Sequence, residues 1–129
     1  MKNIIKIIGI IILLSYKVAF AGNQFQDDKK EQVGMASYYS SKHDQRRTAS
    51  GEKFQSSNLT AAHRTLKFGT LLKVTNLKNN KSVLVTVNDR GPHINGRIVD
   101  LSIAAAQEID MVRDGTAKVK IEVIEFAEK

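Results

Sequence analysis

Cysteine is absent from all 129 residues of the sequence. Its absence excludes a disulfide framework, a cysteine nucleophile and a lipid-modified cysteine behind an export signal. Exported proteins often use disulfides, but a domain that buries its own core does not need them. We therefore expect a domain held together by its hydrophobic core, without a lipid anchor.

Two other patterns are also missing, and each would have indicated a class of ligand. No dense Lys/Arg tract with interleaved aromatic residues occurs, which argues against nucleic-acid binding. No H-x-x-H or H-E-x-x-H spacing occurs either, so His63 with nearby carboxylates gives only a weak metal signal. The sequence predicts no metal ion, no other cofactor and no nucleic-acid partner.

The N-terminus has the order of segments typical of a secretory signal. Lys2 and Lys6 are followed by an apolar run at residues 7–14 and by Ala-Phe-Ala at residues 19–21. This order predicts export with cleavage after Ala21. The alternative is an uncleaved membrane anchor, but a membrane span needs roughly 20 apolar residues, and polar residues at 15–17 interrupt this run. Removing residues 1–21 takes away three lysines and no acid, so the formal net charge falls from +7 to +4.

Hydrophobic alternation and turn residues predict one small β-domain over residues 33–126, after a flexible polar leader at residues 22–32. The expected elements are strands at 33–40, 71–77, 82–87, 97–101 and 117–126, a hairpin turn at 78–81, a helix at 103–109 and a long loop at 41–57. Ser102 is expected to cap the helix. Several short strands with one helix indicate a compact, mostly β barrel.

Four polar residues lie where such a barrel could bring them together, and each also has a purely structural interpretation. Asp89 could start a turn, and Asp100 could help to cap the helix. Glu52 could be a solvated loop residue, and His63 could be a hydrogen-bonded buried histidine.

The occurrence of all four residues together favours a catalytic role over these structural ones. A catalytic acid needs a carboxyl that keeps its proton near neutral pH, whereas a free aspartic acid titrates near ~3.9. Burial or a neighbouring carboxylate can raise that value, and enzymes that cleave sugar bonds use paired carboxyls in this way. Two carboxyls with a histidine nearby could supply this arrangement.

Seven short motifs follow one another along the chain. They are GMASYY at 34–39, RTASGE at 47–52, LTAAH at 59–63, FGT at 68–70, VTN at 74–76, VNDRGP at 87–92 and GRIVDLS at 96–102. Together they resemble the motifs of the rare lipoprotein A family of bacterial septal-ring lytic transglycosylases. The resemblance covers about residues 33–126. It implies a mainly β fold, a six-stranded double-psi β-barrel with one or two short helices.

The resemblance also implies a reaction and the residues that carry it. The expected reaction cleaves peptidoglycan glycan strands that lack stem peptides, between MurNAc and GlcNAc, and leaves 1,6-anhydroMurNAc ends. Asp89 is expected as acid and base, with His63 and Glu52 as tuning or positioning groups. Asp100 falls on a D-L motif that holds the acid in related barrels, so it is expected as an orienting group or as the alternative acid. The expected sugar contacts are Thr48, Asn88 and Arg90.

The expected setting follows from the same resemblance. Peptidoglycan is the expected partner of a monomeric protein that is periplasmic or associated with the cell wall. Many family members carry a lipid-modified cysteine and a C-terminal peptidoglycan-binding domain, and neither feature has a counterpart in residues 1–129. The alternative function is an expansin-like module that binds the cell wall without cutting it.

Overall fold

A computed structural model describes residues 31–127 of the chain. The predicted signal at residues 1–21 and most of the predicted leader lie outside the described residues. The elements in chain order are β1 (Glu31–Tyr38), a 3₁₀ turn (Ser41–His43), β2 (Thr60–Ala62), β3 (Leu71–Asn76), β4 (Ser82–Asp89), β5 (Arg97–Leu101), α1 (Ile103–Glu108) and β6 (Ala117–Glu125). No helix among these residues is long and apolar enough to cross a membrane.

The six strands close into a barrel in the order β1-β5-β2-β4-β3-β6. Two of the strand pairs, β1 with β5 and β2 with β4, are parallel, and the others are antiparallel. The prediction of a mainly β, six-stranded barrel with a short helix is confirmed. Closure leaves the barrel without a free sheet edge that could pair with another chain.

The barrel interior is built from the alternation seen in the sequence. Side chains point to opposite faces along a strand, so β3 buries Leu72 and Val74 while β4 buries Val83, Val85 and Val87. Val119 and Ile121 of β6 belong to the same buried cluster. The buried face of α1 and the turn after it, Ala105, Ala106, Ile109 and Met111, also belong to the core. The Ser102 hydroxyl caps α1 by accepting from the Ala105 amide at 3.2 Å, as predicted.

Several boundaries differ from those predicted, because pairing with distant segments extends or creates strands. β1 begins at Glu31, within the predicted leader, where it pairs with β6. β4 continues to Asp89, where it pairs with Ala62 of β2. β2 itself was not predicted, since its three residues are too few to show a period. α1 and β6 each end one residue earlier than expected, at Glu108 and Glu125.

Candidate active site

The barrel places the two candidate aspartates in one row across neighbouring strands. Ala62 of β2 pairs with Asp89 of β4 on one side and with Asp100 of β5 on the other. Strand neighbours lie about 4.8 Å apart, so the two aspartate backbones are about 10 Å apart along this row. Both aspartates are half-buried. The fold thus brings the two candidates to one region and leaves one strand between them.

Hydrogen-bond donors from three segments converge on the Asp89 carboxylate. The backbone amides of Ala49 and Arg90 each donate to Oδ1 at 2.9 Å. The Tyr39 hydroxyl donates to Oδ2 at 2.7 Å. Burial, the hydrogen bond to Asp89 and the negative charges of Asp89 and Asp100 raise the pKa of Tyr39. Tyr39 therefore remains a neutral phenol that can donate to Asp89 throughout the physiological pH range.

The Ala49 amide belongs to the predicted long loop, which folds back on itself as a small hairpin. Two backbone hydrogen bonds join its arms. The Gln45 amide donates to the Phe54 carbonyl (2.8 Å), and the Phe54 amide donates to the Arg46 carbonyl (2.7 Å). Arg47 and Lys53 then form an isolated antiparallel bridge. We call residues 44–56 the hairpin loop.

Hydrogen bonds hold the hairpin loop at its base and at its tip. Asp44 closes its base by accepting from the amide and hydroxyl of Ser56 at 2.7 and 2.9 Å. At its tip, the Ser50 amide donates to the Asn88 carbonyl at 3.2 Å. The tip turns at Gly51, whose φ of +90° is a conformation that glycine adopts without strain. The hairpin loop therefore holds the Ala49 amide against Asp89.

A cleft opens beside Asp89, with a volume of about 330 Å³ including its mouth. The part of it that a water-sized atom can occupy is about 100 Å³, well below the ~300–1,000 Å³ typical of ligand clefts. Phe54 forms one wall and packs edge-on against Tyr39, with ring centroids 5.1 Å apart. His43, Arg46 and Arg47 also line the cleft. An acid group, two aromatic rings and basic side chains thus surround one small space.

Asp100 and Glu52 lie outside the residues that line this cleft. Asp100 Oδ1 accepts a hydrogen bond from the Ser37 hydroxyl, across the β1/β5 pair. Ser102, and not Asp100, occupies the cap position of α1. Glu52 is exposed, and its carboxylate accepts one long hydrogen bond, 3.5 Å from Asn88 Nδ2. This bond places Glu52 next to the residue that precedes Asp89.

The His63 imidazole organises a turn and contacts no carboxylate among residues 31–127. Its Nδ1 accepts from the backbone amides of Thr65 and Leu66, both at 3.1 Å. The ring hydrogen therefore belongs on Nε2, which faces Gln32 Oε1 at 3.3 Å. Burial, followed by the positive charges of Arg90 and Arg64, lowers the pKa of His63. The structural alternative foreseen for this residue, a buried histidine satisfied by hydrogen bonds, describes the observed geometry.

No group of three or more His, Asp or Glu side chains within residues 31–127 is arranged to hold a metal ion.

Comparison with known proteins identifies the family. A family model described as lytic transglycolase matches residues 31–121. The chain belongs to this family. The resemblance drawn from the seven motifs is thereby confirmed.

Curated relatives of this lytic transglycolase domain are similar over most of its length. It is 54% identical over 93 residues to the Campylobacter jejuni endolytic peptidoglycan transglycosylase RlpA, covering 72% of this chain and 34% of that protein. It is 47% identical over 107 residues to the Haemophilus influenzae protein of the same name, covering 83% of this chain and 37% of that one. The chain thus spans about a third of the length of these relatives.

Two solved structures share the fold at low sequence identity. The Streptomyces papain inhibitor has a TM-score of 0.62 at 19% identity, covering 74% of this chain and 96% of that one. The Clavibacter michiganensis expansin has a TM-score of 0.60 at 19% identity, covering 77% and 52% respectively. At this level of identity the likeness concerns the fold alone.

Within this lytic transglycolase domain, the residues predicted to contact sugar have internal partners. Arg90 Nη1 donates to the carbonyls of His63 (3.2 Å) and Leu66 (2.7 Å), and its guanidinium lies 3.9 Å from the centre of the Phe68 ring. The Thr48 hydroxyl donates to the Glu52 carbonyl at 2.9 Å and lies 2.8 Å from the Ser50 hydroxyl.

Asn88, the third predicted sugar contact, is only 4% exposed. Of the three residues, Thr48 alone lines the cleft beside Asp89. Their observed contacts shape the site, and the predicted sugar contacts remain predictions.

Sequence reasoning missed the residues that contact or surround Asp89 most directly. Tyr39 was assigned only to the first strand, although its place in a motif shared with the family was a usable signal. The Ala49 amide could not have been found from side-chain chemistry, because it acts through its backbone. Arg46 and Arg47 gave a weak signal as adjacent basic residues in a polar loop.

Proposed function

We propose that this chain is a lytic transglycosylase that cuts peptidoglycan glycan strands between MurNAc and GlcNAc and leaves 1,6-anhydroMurNAc ends. The observation that carries the proposal is the Asp89 carboxylate, held by three donors at the side of a cleft. Membership of the lytic transglycolase family and the names of the similar proteins support it. Strands without stem peptides are the proposed substrate.

The contacts of Asp89 suggest how one carboxyl serves first as acid and then as base. Oδ1 receives two fixed amide hydrogens, so a proton on Asp89 belongs on Oδ2. The Tyr39 hydroxyl beside Oδ2 can either donate or accept, so it accommodates both protonation states by rotating.

In the proposed reaction the Oδ2 proton passes to the glycosidic oxygen as the bond from that oxygen to C1 of MurNAc breaks. The 6-hydroxyl of the same MurNAc forms a new bond to C1, and its proton returns to Asp89. No water is consumed, and Asp89 ends the cycle in its starting state.

The remaining site residues are proposed in supporting roles. Glu52 lies beside Asn88 at the tip of the hairpin loop, where its carboxylate can orient substrate or tune Asp89. His63 is proposed to position the turn that holds Arg90, the residue next to Asp89. Asp100 is the alternative acid. We further propose export through residues 1–21 and action as a monomer in the periplasm or at the cell wall.

The test is incubation of the purified protein with peptide-free glycan strands and mass spectrometry of the products. The wild type is expected to give anhydro-ended fragments. Asp89→Asn should lower the rate roughly 10²–10⁴-fold, the usual contribution of a general acid or base, whereas Asp100→Asn should keep most of the activity. If Asp89→Asn cuts normally and Asp100→Asn is inactive, Asp100 is the acid. If the wild type binds strands without cutting them, the chain is an expansin-like binding module.

A further inference from the structure

The cleft beside Asp89 carries more positive than negative charge. Arg46 and Arg47 line it, and both side chains are exposed. The ion pairs found among residues 31–127 join Lys78 to Asp114, Lys81 to Asp110 and Lys120 to Glu122, so neither arginine is used in one. Asp89 is satisfied by Tyr39 and two amides instead. The two guanidinium groups are thus available for an anionic ligand next to the proposed acid.

The backbone around both arginines is fixed. The Arg46 carbonyl accepts from the Phe54 amide at 2.7 Å, and Arg47 forms its bridge with Lys53. One guanidinium nitrogen of Arg47 donates to the Gly51 carbonyl at 2.8 Å, which orients the side chain. A guanidinium has five N–H donors in a planar fork suited to carboxylates, so this single bond leaves Arg47 able to bind one.

The proposed substrate has a carboxylate on the sugar that reacts. MurNAc bears a lactyl group on its third oxygen, and the stem peptide is joined to the carboxyl of that group through an amide. In a peptide-bearing strand this position is neutral and extended by the peptide. In a stripped strand it is a free anion on the same ring as the 6-hydroxyl that closes on C1.

We propose that Arg46 and Arg47 form a subsite for the free lactyl carboxylate of MurNAc, and that this subsite selects stripped strands. The inference rests on the proposed function and names the residues that set its substrate preference. A guanidinium can pair its charge with, and bind in bidentate fashion to, only the free carboxylate, whereas the amide offers one neutral carbonyl oxygen. The small volume of the cleft adds to this selection, because a stem peptide at the same position would have to leave it.

The test compares two forms of one substrate. Stripped strands are used as the free acid and after conversion of the lactyl carboxyl to a neutral methylamide, and the initial rate of anhydro-end formation is measured on each. The wild type should prefer the free acid by roughly 10-fold, as expected for loss of one charge-assisted hydrogen bond. Arg46→Gln and Arg47→Gln should each reduce this ratio, and the double variant should bring it close to one by slowing only the free-acid reaction.

The matched control is Lys118→Gln, which removes one positive charge from an exposed position on β6. It should keep the full preference, whereas a general effect of net charge would lower it. The preference should also weaken with added salt, because exposed charges are screened. Retention of the wild-type ratio in the double arginine variant would overturn the proposal.

Binding distinguishes failure of the subsite from failure of the proposed reaction. Asp89→Asn binds without cutting if Asp89 is the acid, so calorimetry on that variant should show the same preference for the free acid. If the wild type does not cut the strands but still binds the free acid more tightly, the proposed function is contradicted and the subsite is supported. Hyaluronan, a uronic-acid polymer, tests whether the arginines attract anionic glycans in general. If hyaluronan competes as strongly as stripped strands, the assignment to the lactyl carboxylate is overturned.

Discussion

Replacing His63 with asparagine separates a positioning role from a chemical one. Asparagine can place its Oδ1 close to the position of the imidazole Nδ1, where it can accept from the Thr65 and Leu66 amides as His63 does. It lacks a group that titrates. His63→Ala removes both the acceptor and the titrating group, so the two variants form a matched pair.

The expected loss of stability follows from these two hydrogen bonds. A buried donor left without a partner costs about 1–3 kcal/mol. Thr65 is exposed and Leu66 half-buried, so water can replace part of each bond and the lower end of that range applies. His63→Ala should therefore lose about 2–3 kcal/mol in free energy of unfolding, including the lost packing of a ring that is 8% exposed. For a domain of this size that lowers Tm by roughly 10–20 °C. His63→Asn should stay within about 1 kcal/mol of the wild type.

The assay measures thermal unfolding and the rate on stripped glycan strands, the latter well below the Tm of each variant. If His63 positions the turn, His63→Asn should keep activity within roughly 10-fold of the wild type. A proton-transfer group would lose roughly 10²–10⁴-fold in either variant. A folded His63→Asn protein with wild-type Tm and a hundredfold lower rate would refute the positioning role.

The same pair predicts a pH dependence of stability. The pKa of His63 is lowered in the folded protein, so the unfolded chain binds a proton more readily. The stabilisation is fully present above about pH 6.5, the ordinary value for histidine, and is lost as pH falls through the lower folded pKa. Denaturation of His63→Asn should show a smaller loss of stability with falling pH in that window, and an unchanged slope would contradict the assignment.

Three further predictions concern neighbouring contacts. Tyr39→Phe removes the 2.7 Å hydrogen bond to Asp89 and should lower kcat/KM roughly 10-fold or more, because hydrogen bonds to charged groups are worth about 1.5–3 kcal/mol. An unchanged rate on glycan strands would exclude a role for the Tyr39 hydroxyl in the reaction. Gly34→Ala places a methyl group 2.6 Å from Ile98 Cγ2, so it should lower the free energy of unfolding by about 1–3 kcal/mol, measured by chemical denaturation. The effects of Gly34→Ala and Ile98→Ala should not add in a double-mutant cycle. Arg90→Lys keeps the charge but loses the planar fork, so it should lower both Tm and activity, whereas a purely electrostatic sugar contact predicts unchanged Tm.

The strands that pack the core could be predicted because burial leaves a period in the sequence. β3, β4 and β6 alternate apolar and polar residues, and the barrel buries the apolar ones. β2 could not be found in this way, since pairing with β4 and β5 on both sides defines it. Its three residues carry no pattern of their own, although they align the two aspartates.

The candidate site was predictable where a side chain both marks a motif and performs the contact, as for Asp89. It was not predictable where the contact is made by the backbone or reaches across the fold. Ala49 contributes only its amide, 40 positions away from Asp89 in the chain. Arg90 is adjacent to Asp89 in sequence and basic, which suggested a sugar contact, yet its observed partners are the carbonyls of His63 and Leu66.

The number of carboxylates at the cleft bears on the type of reaction. Glycosidases that use water typically need two carboxyls, about 5–5.5 Å apart in retaining enzymes and about 6.5–9.5 Å apart in inverting ones. Among the described residues that line the cleft, Asp89 is the one carboxylate. Asp100 is separated from it by β2, and Glu52 is exposed at the tip of the hairpin loop. Ring closure by the sugar's own 6-hydroxyl needs no second carboxyl to activate water or attack C1. Asp89, with the Tyr39 phenol beside it, can therefore supply the proton transfers of the proposed transglycosylation.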